Sequence, residues 1–143
     1  MTKYFVPKIC IVTSLTYPEI TEVMELRTIE RLKRNKSAKI YTRKVQGSFE
    51  IPYAISTLIK EKKYEGFIAI GCIIKGQTPN FEFISNAITS AIMNLTITYK
   101  KPIGNAVITC LNKKQANKRL LKGREAAKAV CDTLCRGVFN AKR

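Results

Sequence analysis

Between Gly66 and Phe83 the chain reads GFIAIGCIIKGQTPNFEF, an apolar run that ends in a glycine turn and then in residues able to bind a ligand. Gly76 permits a tight turn, and Thr78 followed by Pro79 reads as an N-cap hydroxyl before a proline at the first helical position. A helix start presented in this way offers free backbone N–H groups at the positive end of the helix dipole. The chemistry that suits it is phosphate binding. An ordinary strand-to-helix connection would use the same residues, so this segment alone leaves both readings open. Metal chemistry has less to build on. The five cysteines are Cys10, Cys72, Cys110, Cys131 and Cys135, and there is no histidine. Cys131 and Cys135 share a helical face at i and i+4, but they lack further ligands at suitable spacing, so no metal is expected. Cys10, Cys72 and Cys110 lie in apolar runs, where reduced thiols pass for small hydrophobes.

The elements that must position the phosphate turn follow from hydrophobic periodicity. Phe67, Ile68, Ala69, Ile70, Cys72, Ile73 and Ile74 give the unbroken pattern of a strand covered on both faces. After the turn, Ile84, Ala87, Ile88, Ala91, Ile92 and Leu95 repeat at helical spacing. Upstream, Lys8 to Thr13 is a first buried strand. A helix follows it, with Ile20, Val23, Met24, Ile29 and Leu32 on its apolar side. Ala38 to Val45 alternates like an edge strand with one wet face, and Gly47 turns the chain into a helix that points Ile51, Ala54, Ile55, Leu58 and Ile59 inward. Ile103 to Cys110 is a fourth strand. Asn112, with Gln115 three residues on, begins a short helix. Gly123 is expected to separate that helix from a last one carrying Ala127, Val130, Cys131, Leu134 and Val138.

This order predicts a single α/β domain over residues 1–143, a three-layer α/β/α sandwich with a four-stranded parallel sheet, flavodoxin-like, with helices on both faces. Ligands in such folds gather at the C-terminal ends of the strands. The loop Ser14 to Pro18, the turn QGSFE, the turn IIKGQT and the loop after Thr109 are therefore expected on one rim.

With 143 residues, 45% of them hydrophobic, the chain can bury one sizeable core. No apolar run is long enough to span a bilayer, and Pro7 interrupts the start before a signal-peptide core develops; a cytoplasmic protein with no membrane partner is expected. The formal charge is +16. Lys33, Lys36, Lys60, Lys62, Lys63, Lys100 and Lys101 read as scattered over solvent faces and loops, without a nucleic-acid-binding signature. Specific nucleic-acid binding is not expected, although non-specific attraction is.

Three segments in order, GSFEIP at 47 to 52, GCIIKGQTPNFEF at 71 to 83 and KPIGNAVIT at 101 to 109, resemble the lumazine synthase family over nearly the whole chain. The resemblance implies condensation of 5-amino-6-ribitylaminouracil with 3,4-dihydroxy-2-butanone 4-phosphate to give 6,7-dimethyl-8-ribityllumazine, without cofactor or metal. It assigns Thr16, Tyr17, Ser48, Phe49, Glu50, Cys72, Ile73, Ile74 and Asn105 to the ribitylaminouracil. Gln77, Thr78, Arg119 and Lys122 fall on its phosphate-binding positions. It further implies a pentamer, or an assembly of pentamers, with sites shared between neighbouring subunits.

The chain departs from the family at the proton-transfer position, where Asn80 replaces the family's histidine. Asparagine donates and accepts hydrogen bonds but does not shuttle a proton near neutral pH. Thr16 stands where an aromatic residue usually stacks on the pyrimidine, with Tyr17 beside it as a substitute, and Asn105 stands where phenylalanine is common. Two function classes follow: a synthase with weakened proton transfer, or a non-catalytic descendant that keeps the fold and binds lumazine- or flavin-like rings. A third, a basic RNA-associated module, is disfavoured by three motifs in register.

Overall fold

The computed structural model describes residues 6–36, 38–76 and 80–137. Four strands form one sheet: β1 (Lys8–Ser14), β2 (Lys39–Val45), β3 (Gly66–Ile74) and β4 (Ile103–Cys110). All neighbours are parallel and the order is β2-β1-β3-β4. The connecting helices are α1 (Pro18–Lys33), α2 (Ile51–Lys60) and α3 (Asn80–Tyr99), with α4 (Lys113–Asn117) and α5 (Lys122–Arg136) following β4. This is the flavodoxin-like three-layer sandwich that the strand and helix periodicities predict.

Strand alternation divides the core into two halves. Ile9, Ile11, Ile68, Ile70 and Ile108 meet Ile20, Met24 and Leu32 of α1 and Ala127, Val130 and Cys131 of α5 on one face. Cys10, Val12, Phe67 and Ala69 meet Ile51, Ile55 and Ile59 of α2 and Ile88 and Ile92 of α3 on the other. The α3 stripe is narrower than its periodicity suggests. Ile88 and Ile92 are buried, Ala91 and Leu95 are half-buried, and Ile84 and Ala87 are exposed.

Gly123 does not break the chain between two helices. It is the second residue of α5 and is buried. A Cβ there would fall 1.9 Å from Thr28 Oγ1, so glycine is what lets α5 approach α1. Val138, expected on the same helix, lies outside the described residues. The start of α4 does match the capping reading: Asn112 Oδ1 accepts from the Gln115 backbone N–H at 2.9 Å. The return bond shifts by one residue, since Gln115 Oε1 accepts from the Leu111 N–H at 2.7 Å.

The two outer strands carry local hydrogen bonds at their margins. On β4, Asn105 Oδ1 accepts from the Val107 N–H at 3.0 Å; on β2, Arg43 Nη1 donates to the Thr42 carbonyl at 2.9 Å. No helix among the described residues is long and apolar enough to cross a membrane.

Candidate active site

Because the sheet is all parallel, the strand-to-helix turns after β1, β2, β3 and β4 lie at one end of it. A cavity of about 210 Å³ opens there, and seven of the residues assigned to the ribitylaminouracil converge on it. Thr16 and Tyr17 come from the β1–α1 turn, and Ser48 and Phe49 from the 3₁₀ turn Ser48–Glu50 ahead of α2. Cys72, Ile73 and Ile74 come from the end of β3, and Gly47 and Ile84 complete the lining. Ile84 belongs to the α3 stripe in sequence, yet here it faces the cavity rather than the core.

Backbone geometry at this cavity is specific. Tyr17 caps α1 in the left-handed region, at φ 57° and ψ 58°, a conformation that costs a non-glycine residue energy and clusters at functional sites. Its ring lies 5.6 Å from the Lys113 ammonium, which also pairs with Glu19 at 3.3 Å. Thr16 Oγ1 is tied to the Gln46 carbonyl at 2.9 Å. The Ser48 hydroxyl is buried and has no hydrogen-bond partner among the described residues. A polar group held dry in this way favours a ligand that can bond to it. The Glu50 carboxylate lies over Gly47, where a Cβ would come within 3.1 Å of its Oε1. Phe49 is 62% exposed, a large apolar surface beside a cavity that a planar ring could cover.

Cys72 takes no part as a nucleophile. Burial pushes its thiol up to about 12, with the neighbouring Cys110 and Glu19 adding to the shift, so it stays protonated at neutral pH. Among the described residues no three histidine, cysteine, aspartate or glutamate side chains converge on a metal-sized site.

Of the residues assigned to the phosphate, Arg119 and Lys122 lie in a second cleft, of about 700 Å³, along the outer side of β4. Arg119 and Lys122 line it with Lys118, and Glu125 is the acid among them. Arg119 Nη1 donates to the Thr109 carbonyl at 2.9 Å. Its guanidinium also opposes, through its charge and a hydrogen bond, the upward push of burial on the Cys110 thiol. Lys122 reaches Glu125 at 3.5 Å. Asn105 belongs to this cleft and not to the cavity that holds the other uracil-assigned residues. Among the described residues the cavity and the cleft have no lining residue in common. Asn80 is exposed at the start of α3 and touches neither lining, while Gln77 and Thr78 lie outside the described residues.

Sequence reasoning missed Lys118, which stands beside Arg119 and adds a third cation to the cleft. Its signal was available in the run NKRLLK, but a basic run in a loop reads first as a solvated one.

Comparison with known proteins identifies the family. Residues 7–136 match the family model described as 6,7-dimethyl-8-ribityllumazine synthase. A Bdellovibrio bacteriovorus protein named 6,7-dimethyl-8-ribityllumazine synthase is 33% identical over 89% of this chain and 73% of its own length. One of the same name from Bartonella bacilliformis is 36% identical over 82% of this chain and 78% of its own. A Polaromonas relative, also so named, is 41% identical over 62% of this chain, and the aligned part spans 58% of that protein. With a match that runs through every strand and helix around both recesses, the chain belongs to the 6,7-dimethyl-8-ribityllumazine synthase family.

Proposed function

We propose that the chain condenses 5-amino-6-ribitylaminouracil with 3,4-dihydroxy-2-butanone 4-phosphate to give 6,7-dimethyl-8-ribityllumazine, the penultimate step of riboflavin biosynthesis. The observation that carries the reading is the convergence of Thr16, Tyr17, Ser48, Phe49, Cys72, Ile73 and Ile74 on one cavity at the C-terminal rim of the sheet. The unpartnered Ser48 hydroxyl and the Glu50 carboxylate supply polar contacts for the uracil and ribityl groups, and Phe49 and Tyr17 supply apolar cover. Arg119, with Lys118 and Lys122, offers a cationic cleft for a phosphate, for which the planar guanidinium is well matched. Gln77 and Thr78 complete the phosphate grip.

A uracil-type cavity and a phosphate-type cleft that share no lining residue among the described residues make sense if each complete site joins the cavity of one subunit to the cleft of the next. The protein is then at least a pentamer, working in the cytoplasm. The exposed Tyr53, Phe83, Met93 and Ile97 on α2 and α3 would cover one another in such an assembly. Imine formation between the uracil 5-amine and the butanone carbonyl, with loss of water, is followed by elimination of inorganic phosphate and by closure of the ribitylamino nitrogen onto the remaining carbonyl with loss of a second water. Asn80 orients but does not transfer a proton, so the rate rests on holding two reactants in register, which can outweigh the 10²- to 10⁴-fold that acid-base help typically gives.

The absence of a histidine favours one other reading, a non-catalytic family member that binds lumazine- or flavin-like rings in the same cavity. Turnover with both substrates, followed by absorbance of the lumazine product, separates the two. The synthase reading requires product above the uncatalysed rate. A folded assembly that binds riboflavin but forms no product would establish the other.

A further inference from the structure

In a parallel sheet every helix-to-strand turn lies at the N-terminal end of the strands, opposite the rim that carries the cavity. Here those turns are rich in lysine. Lys33, Arg34, Lys36 and Lys39 lie at the passage from α1 to β2. Lys60, Lys62 and Lys63 join α2 to β3, and Lys100 and Lys101 join α3 to β4. Lysines that look dispersed in the sequence therefore converge on one side of the molecule. Neighbouring strands are about 4.8 Å apart, so at strand level the row is roughly 14 Å wide.

The same turns hold two acids, Glu61 and Glu65, and the Glu65 carboxylate accepts the Lys8 backbone N–H at 2.6 Å. Among the described residues the lysine ion pairs lie elsewhere: Lys44 with Glu25, Lys113 with Glu19, Lys122 with Glu125 and Lys128 with Asp132. Among the described residues Lys36, Lys39, Lys60, Lys62 and Lys100 are exposed and have no acidic partner.

A second observation comes from the backbone. Lys36, Lys62 and Lys100 adopt φ of 51°, 58° and 54°; Lys36 ends the 3₁₀ turn Arg34–Lys36, Lys62 stands two residues past α2 and Lys100 follows α3 directly. This is the position at which glycine is the low-cost residue, because a Cβ opposes the left-handed conformation. Three separate turns thus keep a lysine where glycine would fold more easily. Fold stability does not explain that choice, and a shared electrostatic task does. Lys63, whose ammonium sits 4.7 Å from the Tyr41 ring and 5.4 Å from the Tyr64 ring, anchors the middle of the row.

We propose that this rim binds single-stranded nucleic acid through its phosphates, without reading sequence. Lysine ammonium groups are point charges that donate to a phosphate from any direction, which suits a backbone of variable path, whereas an arginine fork demands a fixed bidentate geometry from phosphate or carboxylate alike. A lipid surface would call for exposed apolar side chains among the charges. In these turns Tyr64 is buried, and Ala38, Pro102 and Ile103 are half-buried.

The test is fluorescence anisotropy of a labelled oligouridylate of about 20 nucleotides with the intact protein over a series of salt concentrations. Affinity should fall linearly with salt on a log-log plot. The triple variant Lys36→Gly, Lys62→Gly, Lys100→Gly should flatten that slope by about 2 and weaken binding at least tenfold at about 50 mM salt. Its thermal midpoint should equal or exceed that of the parent, because glycine suits all three positions, so lost binding could not be ascribed to misfolding. A charge-matched control, Lys44→Ala, Lys114→Ala, Lys128→Ala, should bind like the parent. The proposal is overturned if the parent does not bind, if the two triple variants behave alike, or if polyglutamate or phosphatidylserine vesicles of equal charge compete better than RNA. Lumazine formation by the glycine variant should match the parent, which separates this proposal from the synthase reading.

Discussion

The Ser48 hydroxyl fills the space that a side chain on Gly71 would need, since a Cβ at Gly71 would fall 2.3 Å from Ser48 Oγ and 3.2 Å from its Cβ. The uracil-side turn is thereby seated directly on the central strand. Gly71→Ala should push the 3₁₀ turn off β3, costing about 1–3 kcal/mol of stability and most of the turnover. Chemical denaturation alongside the lumazine assay measures both, and an alanine variant with parental activity would contradict the seating.

Arg119 is held by the Thr109 carbonyl and a hydrogen bond with the Cys110 thiol, and it lines the cleft, so its removal should cost binding more than folding. Arg119→Ala should raise KM for the butanone phosphate roughly 10- to 100-fold, the loss of one charge-assisted contact, and leave KM for the ribitylaminouracil near its parental value. Steady-state kinetics with each substrate varied in turn decides it. Equal effects on both constants would argue against a phosphate role.

Asn80→His restores a group that titrates near neutrality. Turnover should rise, by at most the 10²- to 10⁴-fold typical of general acid-base catalysis, and the rate should acquire a pH dependence between about pH 5 and 8 that the parent lacks. A pH–rate profile of both proteins is the readout.

Thr28 and Gly123 should couple strongly. Gly123→Ala alone drives a methyl into Thr28 Oγ1 and should destabilise by about 2 kcal/mol or more. Removing the obstruction with Thr28→Ala should recover part of that loss, because Thr28 Cβ and the Met24 carbonyl would still stand 3.3 and 3.4 Å from the new Cβ. A double-mutant cycle by urea unfolding should give an interaction energy of order 1 kcal/mol.

Three buried thiols make the fold sensitive to alkali. Burial pushes Cys10 and Cys131 up to about 11 and Cys72 to about 12, from an ordinary 9.0. Above pH 9 the unfolded chain releases these protons while the folded chain keeps them. Stability should therefore fall as pH rises, by about 1 kcal/mol per thiol between pH 9 and 10. Unfolding free energies at pH 8, 9 and 10 test this, and Cys72→Ala should reduce the slope.

Most of the architecture was legible because continuous apolar runs such as Phe67 to Ile70 leave little choice but a buried parallel strand. Thr21 and Thr28 were not, since a hydroxyl argues against burial. Each returns its proton to a carbonyl, of Ser14 at 2.8 Å and Met24 at 2.7 Å, and packs as a near-apolar side chain. Gly123 was misread because a glycine near a helix start looks like punctuation when its neighbour in space is unknown. Seven of the residues that the family resemblance assigns to the uracil share one cavity because they sit in turns or strand ends on one rim of the sheet. The separation of Arg119 and Asn105 from them required coordinates, as did the gathering of the lysines, which depends on which turns share an end of the sheet.

The margins of the sheet have a consequence for behaviour at high concentration. An exposed outer strand is a template for another chain, and strand addition of that kind leads to fibrous aggregates. On β4 the Asn105 side chain occupies the Val107 donor, and on β2 the Arg43 side chain occupies the Thr42 acceptor. Each margin thus withholds a hydrogen-bonding group at its middle from an incoming strand. Asn105, which also lines the cleft, thus guards this margin against self-templating.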